Sequence, residues 1–148
     1  MKKNFNNIKI GIVASRFNGS ITQRLLKACV EELADSGIKE SNIQIVWVPG
    51  AFEIPVVALK LAQKKSTNAV ICLGTVIKGE TMHFELVSYA AAWGVSQVAL
   101  STEKPIIFEV LSTYTTEQAN QRSKIKGDNK GRDAARAALE MISVLKKI

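Results

Sequence analysis

The sequence predicts an α/β protein, a three-layer α/β/α sandwich around a central four-stranded parallel sheet. Short runs rich in isoleucine and valine alternate with longer segments whose apolar residues recur at helical spacing, a pattern typical of repeated βα units on a parallel sheet. The 148 residues are 47% hydrophobic, enough to bury the core of one ordinary domain without disulfides or metal ions. We therefore expect a single domain spanning residues 1–148.

The first two βα units are predicted as follows. Residues 8–14 form an apolar strand, and the helix after it ends before Gly37, because glycine is common just beyond a helix end. The apolar residues of that helix recur every four positions, at Ile21, Leu25, Cys29 and Leu33. Residues 43–48 form the second strand and residues 53–65 the second helix, in whose first turn Pro55 costs no hydrogen bond.

The rest of the chain continues the alternation. Residues 69–73 are almost wholly apolar, as expected for a strand covered on both faces. Residues 81–92 form a helix that Gly94 weakens, although Val95, Val98 and Ala99 keep helical spacing beyond it. Residues 106–111 form the fourth strand. Two closing helical segments follow, at residues 116–123 and 132–147. This order of elements is typical of flavodoxin-like and Rossmann-like sandwiches.

The charge and the rare residue types narrow the class of function. The formal net charge of +7 suits either a nucleic-acid surface or an anionic small substrate. The basic residues are scattered, with few aromatic residues among them, so we expect no nucleic-acid partner. Cys29 and Cys72 lie far apart and the chain has a single histidine, so we expect buried thiols, no metal site and no bound cofactor.

No segment approaches the length of a membrane span, and the N-terminal MKKNFNN leads into no signal-like apolar region. We therefore expect no membrane partner and a cytoplasmic protein. An organellar precursor that has lost its targeting segment is the alternative.

The loops that follow the strands carry the candidate site residues, because ligands of open parallel sheets bind outside the carboxyl ends of the strands. After the first strand, Phe17 either packs back on the first helix as a hydrophobic staple or forms a stacking platform for a flat ring. After the second strand, Glu53 opens a helix. It is either a first-turn carboxylate stabilised by the helix dipole or an acceptor for the hydroxyls of a polyol.

The loop after the third strand, GTVIKGETMH at residues 74–83, holds two glycines and opens a helix. Its backbone N–H groups suit an anion such as phosphate, although it lacks the spacing of a P-loop. His83 can exchange protons near neutral pH, and a surface or core histidine is the alternative. Near the chain end, Arg122 is either a phosphate ligand or part of a solvated helix face.

Several stretches together resemble the lumazine synthase family. They are GIVASRFNGSIT (11–22), WVPGAFEIP (47–55), LGTVIKGETMHFELV (73–87), PIIFEVLSTYTTEQANQRS (105–123) and KGDNKG (126–131). The resemblance spans essentially the whole chain, and the pairing of PGAFEIP with GTVIKGxTxH is highly specific. It implies a flavodoxin-like fold and a transferase of riboflavin biosynthesis. Such an enzyme condenses 5-amino-6-(D-ribitylamino)uracil with 3,4-dihydroxy-2-butanone 4-phosphate to 6,7-dimethyl-8-ribityllumazine, releasing phosphate and water, in the penultimate step of the pathway.

The resemblance also implies a role for each site residue. His83 would be the general acid/base. The residues that would bind the pyrimidine and its ribityl chain are Phe17, Ala51, Phe52, Glu53, Thr75, Val76, Ile77 and Phe108. Those that would bind the phosphate are Glu80, Thr81, Arg122 and Lys130.

Phe108, Arg122 and Lys130 match residues that family members contribute from a neighbouring subunit, so the resemblance implies a homo-oligomer with active sites at subunit interfaces. The uninterrupted connection at residues 122–131 resembles that of members whose pentamers form icosahedral shells. We expect a pentamer, with a sixty-subunit icosahedral shell as the larger alternative and riboflavin synthase as a cargo it can enclose. The short tail, residues 1–7, puts in doubt the addition of a strand to a neighbour's sheet.

Some positions depart from the family pattern. Lys78 stands where many members have arginine, and Glu109 stands where glycine is common. Two other interpretations keep the same fold: an archaeal-type riboflavin synthase, and a flavodoxin-like module that binds flavins without turnover. The PGAFEIP motif and the histidine at the helix start argue against both.

Overall fold

The computed structural model describes residues 5–148, so the first four residues of the N-terminal tail lie outside the described part. The strands are β1 (Ile10–Ser15), β2 (Ile43–Val48), β3 (Ala69–Ile77) and β4 (Ile106–Thr113). The α-helices are α1 (Gly19–Asp35), α2 (Ile54–Ala62), α3 (His83–Thr102), α4 (Thr116–Gln121) and α5 (Lys130–Leu145). Short 3-10 turns at Glu40–Asn42 and Ala51–Glu53 precede β2 and α2.

The four strands form one sheet in the order β2-β1-β3-β4, with every neighbouring pair parallel. The helices α1, α4 and α5 cover one face, and α2 and α3 cover the other. The predicted flavodoxin-like α/β/α sandwich is therefore confirmed. No helix within residues 5–148 is both long and apolar enough to cross a membrane.

The two faces of the sheet bury separate apolar cores. Side chains alternate between the faces of a strand, so Ile12 packs toward α1 and α5 while its neighbour Val13 packs toward α2 and α3. On α1, the predicted apolar stripe lies against the first core, and all four of its members are buried: Ile21, Leu25, Cys29 and Leu33. Burial of such a stripe is what holds an amphipathic helix on a sheet.

The third strand is longer than the sequence predicts. It was expected to end at Leu73, but β3 runs to Ile77 and pairs with β4 as far as Thr113. Gly74 does not break the strand. A Cβ there would stand 2.7 Å from the Ser15 Oγ, so the glycine permits close packing inside the sheet.

The third helix is also more continuous than predicted. Gly94 was expected to weaken this helix, but it does not interrupt it: α3 runs without a break from His83 to Thr102. Gly94 faces the ring of Pro55 on α2, and its missing side chain lets the two helices approach each other. The predicted second helix, residues 53–65, is replaced by the 3-10 turn and the shorter α2. The remaining element boundaries differ by about two residues, which is the usual uncertainty of helix and strand ends.

The sheet leaves a crevice where its strand order reverses. Pairing between β1 and β3 ends at Leu73, whereas β3 continues to Ile77 alongside β4. The loops after β1 and β3 lead into helices on opposite faces, α1 and α3. A gap therefore opens between the carboxyl ends of these two strands, which is the usual ligand position in doubly wound sheets.

Candidate functional site

A cavity of about 790 Å³ lies in this crevice, at the carboxyl ends of β1, β2 and β3. Nine predicted site residues line it: Phe17, Ala51, Phe52, Glu53, Thr75, Val76, Ile77, Thr81 and His83. Further apolar lining comes from the first turns of α3, through Phe84, Leu86 and Val87. The volume suits a small organic ligand, and mostly apolar walls with a few polar groups are typical of such sites.

Phe17 lines the cavity, and 70% of the residue is exposed. The loop that carries it is fixed to the β2 loop by two backbone hydrogen bonds, from Arg16 N–H to the Val48 oxygen (2.8 Å) and from Phe17 N–H to the Pro49 oxygen (3.0 Å). An exposed ring on a fixed backbone does not form the hydrophobic staple that was the alternative. It is available to stack on a flat ligand.

Asn18 is a site-forming residue that the sequence analysis missed. It adopts a left-handed backbone conformation, with φ of 54°, which asparagine tolerates better than most residues. Its side-chain Nδ2 donates a hydrogen bond to the Thr75 carbonyl oxygen at 3.0 Å. The start of α1 is thereby tied to the part of β3 that extends beyond its pairing with β1, and the Phe17 loop is held beside the cavity.

Glu53 is oriented by the turn that precedes it. Its Oε2 accepts a hydrogen bond from the Gly50 N–H at 2.9 Å, and the residue lines the cavity. Within residues 5–148, Oε1 makes no hydrogen bond, so one oxygen stabilises the turn and the other is available to a ligand. In this position Glu53 can stabilise the start of the helix and at the same time accept hydrogen bonds from a polyol.

The end of β3 presents backbone groups to the cavity. The Thr75 hydroxyl lies 3.2 Å from the Thr22 hydroxyl on α1 and is buried, so this side chain is turned toward the helix. Alternate residues of a parallel strand direct their N–H and C=O groups to opposite neighbours. Those of Thr75 and Ile77 point to the side of β1, where the strand pairing has ended. A planar heterocycle can bind along this row of amides.

His83 is the first residue of α3 and is exposed at the cavity. Its backbone N–H donates to the Thr81 hydroxyl at 3.3 Å. The turn before it is closed by an ion pair of 3.2 Å between Lys78 and Glu85. A hydrogen bond from the backbone of Glu85 and the neighbouring Lys78 hold the pKa of that carboxyl below its ordinary value. Glu80 lies at the tip of the same turn, exposed and outside the cavity lining.

The comparison with protein families shows the family of the chain. A model of the 6,7-dimethyl-8-ribityllumazine synthase family matches residues 7–146. The chain belongs to the lumazine synthase family. This match covers nearly the whole chain and confirms the resemblance seen in the motifs. It implies lumazine synthase activity in riboflavin biosynthesis. The cavity described above is lined by residues of all three loops in which the resemblance was seen.

Besides Glu80, three of the residues predicted from the lumazine synthase resemblance lie outside the cavity of their own chain: Phe108, Arg122 and Lys130. Phe108 is partly exposed on β4, which is the edge strand of the sheet. Arg122 directly follows the last residue of α4, and its Nη1 donates to the Gln118 carbonyl oxygen at 3.0 Å. Lys130 begins α5 and pairs with Asp133 at 3.2 Å. Arg122 and Lys130 adjoin each other, because the Lys130 N–H donates to the Arg122 carbonyl oxygen at 2.8 Å.

Glu109 is a second residue whose environment the sequence did not reveal. It follows Phe108 on β4, so it points to the opposite face of the sheet, where Lys130 and Asp133 lie at the start of α5. Burial raises its pKa from an ordinary 4.5 to about 7, with Asp133 adding to the rise and Lys130 opposing it. A position noted only as a departure from glycine therefore carries a carboxyl that can change charge near neutral pH.

Both cysteines are buried, as predicted. Burial raises the pKa of Cys29 and of Cys72 to about 12, because a thiolate cannot be solvated in an apolar core. Neither thiol lies in the cavity lining. Among residues 5–148, no group of three or more histidine, cysteine, aspartate or glutamate side chains is arranged to hold a metal ion.

Proposed function

We propose that this lumazine synthase family member condenses 5-amino-6-(D-ribitylamino)uracil with 3,4-dihydroxy-2-butanone 4-phosphate to give 6,7-dimethyl-8-ribityllumazine, phosphate and water. One observation carries the proposal. A stacking ring, a carboxylate and the single histidine of the chain, Phe17, Glu53 and His83, line the same cavity of about 790 Å³. These groups match the three parts of the reaction: a flat pyrimidine, a polyol chain and a proton transfer.

The pyrimidine would lie between Phe17 and the end of β3. The exposed ring of Phe17 offers a stacking surface, and the amides of Thr75 and Ile77 match the alternating donors and acceptors of a uracil edge. Glu53 Oε1 would accept hydrogen bonds from ribityl hydroxyls, while Gly50 holds Oε2. Ala51 and Phe52 would contact the ring and its chain from the β2 side.

The phosphate substrate would bind at the turn of residues 79–82, which leads into α3. Free N–H groups and the positive end of a helix dipole favour an anion at such a turn. In this arrangement Glu80 and Thr81 present the turn, and His83 stands beside it. The substrate's phosphate would thus be held close to the group that exchanges protons.

The chemistry needs proton transfers at a fixed pair of reactants. An amine of the pyrimidine attacks the ketone and water leaves to form an imine. Phosphate is then eliminated to give an enol that becomes a carbonyl, and the second nitrogen attacks this carbonyl and closes the ring with loss of a second water. His83 would take up and return protons in these steps. Holding the two substrates together supplies much of the acceleration, because a reaction of two free molecules becomes a reaction within one complex.

We also propose a homo-oligomer in which a neighbour completes each cavity with Phe108, Arg122 and Lys130. The separation of these residues from the cavity of their own chain supports this arrangement. So does an apolar row along α3 and the residue just before it, whose members are 62–77% exposed and lie at helical spacing: Met82, Leu86, Tyr89, Trp93 and Leu100. A monomer rarely exposes such a row. A pentamer is the proposed assembly, and an icosahedral shell with riboflavin synthase inside is its proposed extension.

The two buried, unpaired cysteines support a reducing compartment, which we propose to be the cytoplasm. The experiment that tests the function is incubation of the protein with both substrates. We expect a fluorescent lumazine and one released phosphate for each lumazine formed. A bound flavin without turnover would favour the flavin-binding alternative instead. Mass measurement of the native assembly tests the pentamer, and a monomer that is fully active would contradict the shared site.

A further inference from the structure

Arg24 connects α1 to the segment between α4 and α5. Its Nε donates to the Ser123 carbonyl oxygen at 3.1 Å. Its Nη2 donates to Asn120 Oδ1 at 2.7 Å and to the Ser123 hydroxyl at 3.1 Å. The residues joined in this way are 96 to 99 positions apart in the sequence. The planar fork of one guanidinium therefore fixes the end of α4 against α1.

The segment that Arg24 holds is a closed turn. Ser123 and Asn129 form an antiparallel bridge, and the Lys130 N–H donates to the Arg122 carbonyl oxygen at 2.8 Å. Arg122 and Lys130 thus stand at the base of the turn, side by side. A shift of Ser123 relative to α1 would therefore move the backbone of Arg122 and of Lys130.

The other side of the turn is also attached to α1, at the backbone of Arg24 itself. Asn129 Nδ2 donates to the Arg24 carbonyl oxygen at 3.2 Å, and Asn129 Oδ1 accepts from the Gly131 N–H at 2.8 Å. A Cβ on Gly131 would stand 1.9 Å from the Leu25 carbonyl oxygen, so this contact requires glycine. Both sides of the turn therefore dock on the second turn of α1.

We propose that Arg24 is a positioning residue that holds Arg122 and Lys130 in the geometry for binding the phosphate substrate. The inference rests on the function proposed above, since that function assigns an anion to these two cations. Arg24 touches neither cation's charged head and acts through the backbone of Ser123 and the turn. The same helix also holds the cavity of its own chain, because Asn18 at its start donates to Thr75. One rigid helix therefore links the cavity of a subunit to the pair of cations proposed to serve its neighbour.

The test compares Arg24→Ala with Arg136→Ala. Arg136 is the matched control: it also joins the C-terminal part of the chain to α1, through bonds of 2.9 and 3.2 Å to Glu32, but it contacts no residue of the turn. For Arg24→Ala we expect the KM for the butanone phosphate to rise about tenfold, because loosened cations bind the anion less well. The pyrimidine KM and kcat should stay within about twofold of the wild type. Arg24→Lys should restore part of the loss, since one ammonium can replace part of the fork.

Hydrogen exchange gives a second readout that needs no substrate. The amides of Ser123 and Lys130 should exchange faster in Arg24→Ala and at the wild-type rate in Arg136→Ala. If Arg24→Ala fails to fold, the milder Asn120→Ala removes only the bond of 2.7 Å and should give a smaller change of the same kind.

The outcomes separate this proposal from the proposed function. If the wild type forms no lumazine, the function is wrong, and hydrogen exchange of residues 120–131 still decides whether Arg24 holds the turn. Wild-type exchange and wild-type KM in Arg24→Ala would overturn the positioning role. The same rise in KM in Arg136→Ala would also overturn it, because the effect would then follow from any loosening of α1.

Discussion

Gly94 of α3 lies directly against Pro55 of α2: a Cβ built on Gly94 would stand 2.6 Å from the Pro55 Cγ. Pro55 lies in the first turn of α2, two residues after Glu53, and α3 begins at His83. The contact therefore sets the distance between the two helices whose N-terminal ends form one side of the cavity.

Gly94→Ala should destabilise the protein by forcing these helices apart. Overpacking of this kind costs about 1–3 kcal/mol. We expect the Tm to fall by roughly 2–10 °C in thermal unfolding followed by circular dichroism. Gly19→Ala is the matched control, because a Cβ at Gly19 meets nothing within 4 Å. An unchanged Tm for Gly94→Ala would mean that the helices can separate at no cost.

His83→Ala should slow the condensation while leaving the pyrimidine bound. General acid–base catalysis by one side chain contributes about 10²-fold or more, so we expect kcat to fall by about that factor. The dissociation constant of the pyrimidine, measured by titration calorimetry, should change less than about twofold because Phe17 and the β3 amides are intact. Unchanged turnover at saturating substrates would remove His83 from the mechanism.

Arg122→Ala should chiefly raise the KM for the phosphate substrate. The guanidinium would bind the phosphate in the ground state and in the transition state alike, so kcat should change little. Steady-state kinetics with each substrate varied in turn gives the measurement. A rise confined to the pyrimidine KM would contradict the assignment.

Mixed assemblies extend this prediction to the shared site. In this experiment equal amounts of His83→Ala and Arg122→Ala subunits are unfolded and reassembled together. If the subunits are placed at random around a ring, about a quarter of the interfaces combine an intact His83 with an intact Arg122. Activity at low phosphate substrate should then exceed the mean of the two separate variants. Activity equal to that mean would indicate that each chain uses its own Arg122.

Glu109→Gln should change how stability depends on pH. Its carboxyl has a pKa of about 7 in the folded chain against 4.5 ordinarily, so the folded state binds the extra proton and stability falls as the pH rises from about 4.5 to 7. Glutamine cannot ionise and avoids this loss. The Tm gain of Glu109→Gln over wild type should be larger at pH 8 than at pH 5, whereas exposed Glu40→Gln should show no such trend.

The sequence was sufficient to predict the fold, because the strand and helix periods are properties of the local chain. The errors concern glycines. Gly74 and Gly94 were interpreted as a loop signal and a weak point, yet each occupies a crowded place beside Ser15 or Pro55. A glycine that permits close packing looks the same in sequence as one that breaks a helix or strand, and only the tertiary partner distinguishes them.

The cavity residues were predictable for a related reason, since residues that follow parallel strands must meet at one edge of the sheet. Asn18 and Arg24 were not, because their roles depend on hydrogen bonds to residues 57 and 96 to 99 positions away. The environment of Glu109 depends likewise on α5 folding back over β4. The contributions of Phe108, Arg122 and Lys130 to a neighbour stay predictions.

Because the cavity is separated from Arg122 and Lys130 within one chain, the number of complete sites depends on how the subunits are arranged. If each complete site needs two adjacent subunits in a head-to-tail arrangement, an open row of subunits has one site fewer than it has chains. Its two ends carry an unfilled cavity and an unused pair of cations. A closed ring has as many sites as chains. Selection for catalytic output would then favour closure itself, independently of any gain in stability.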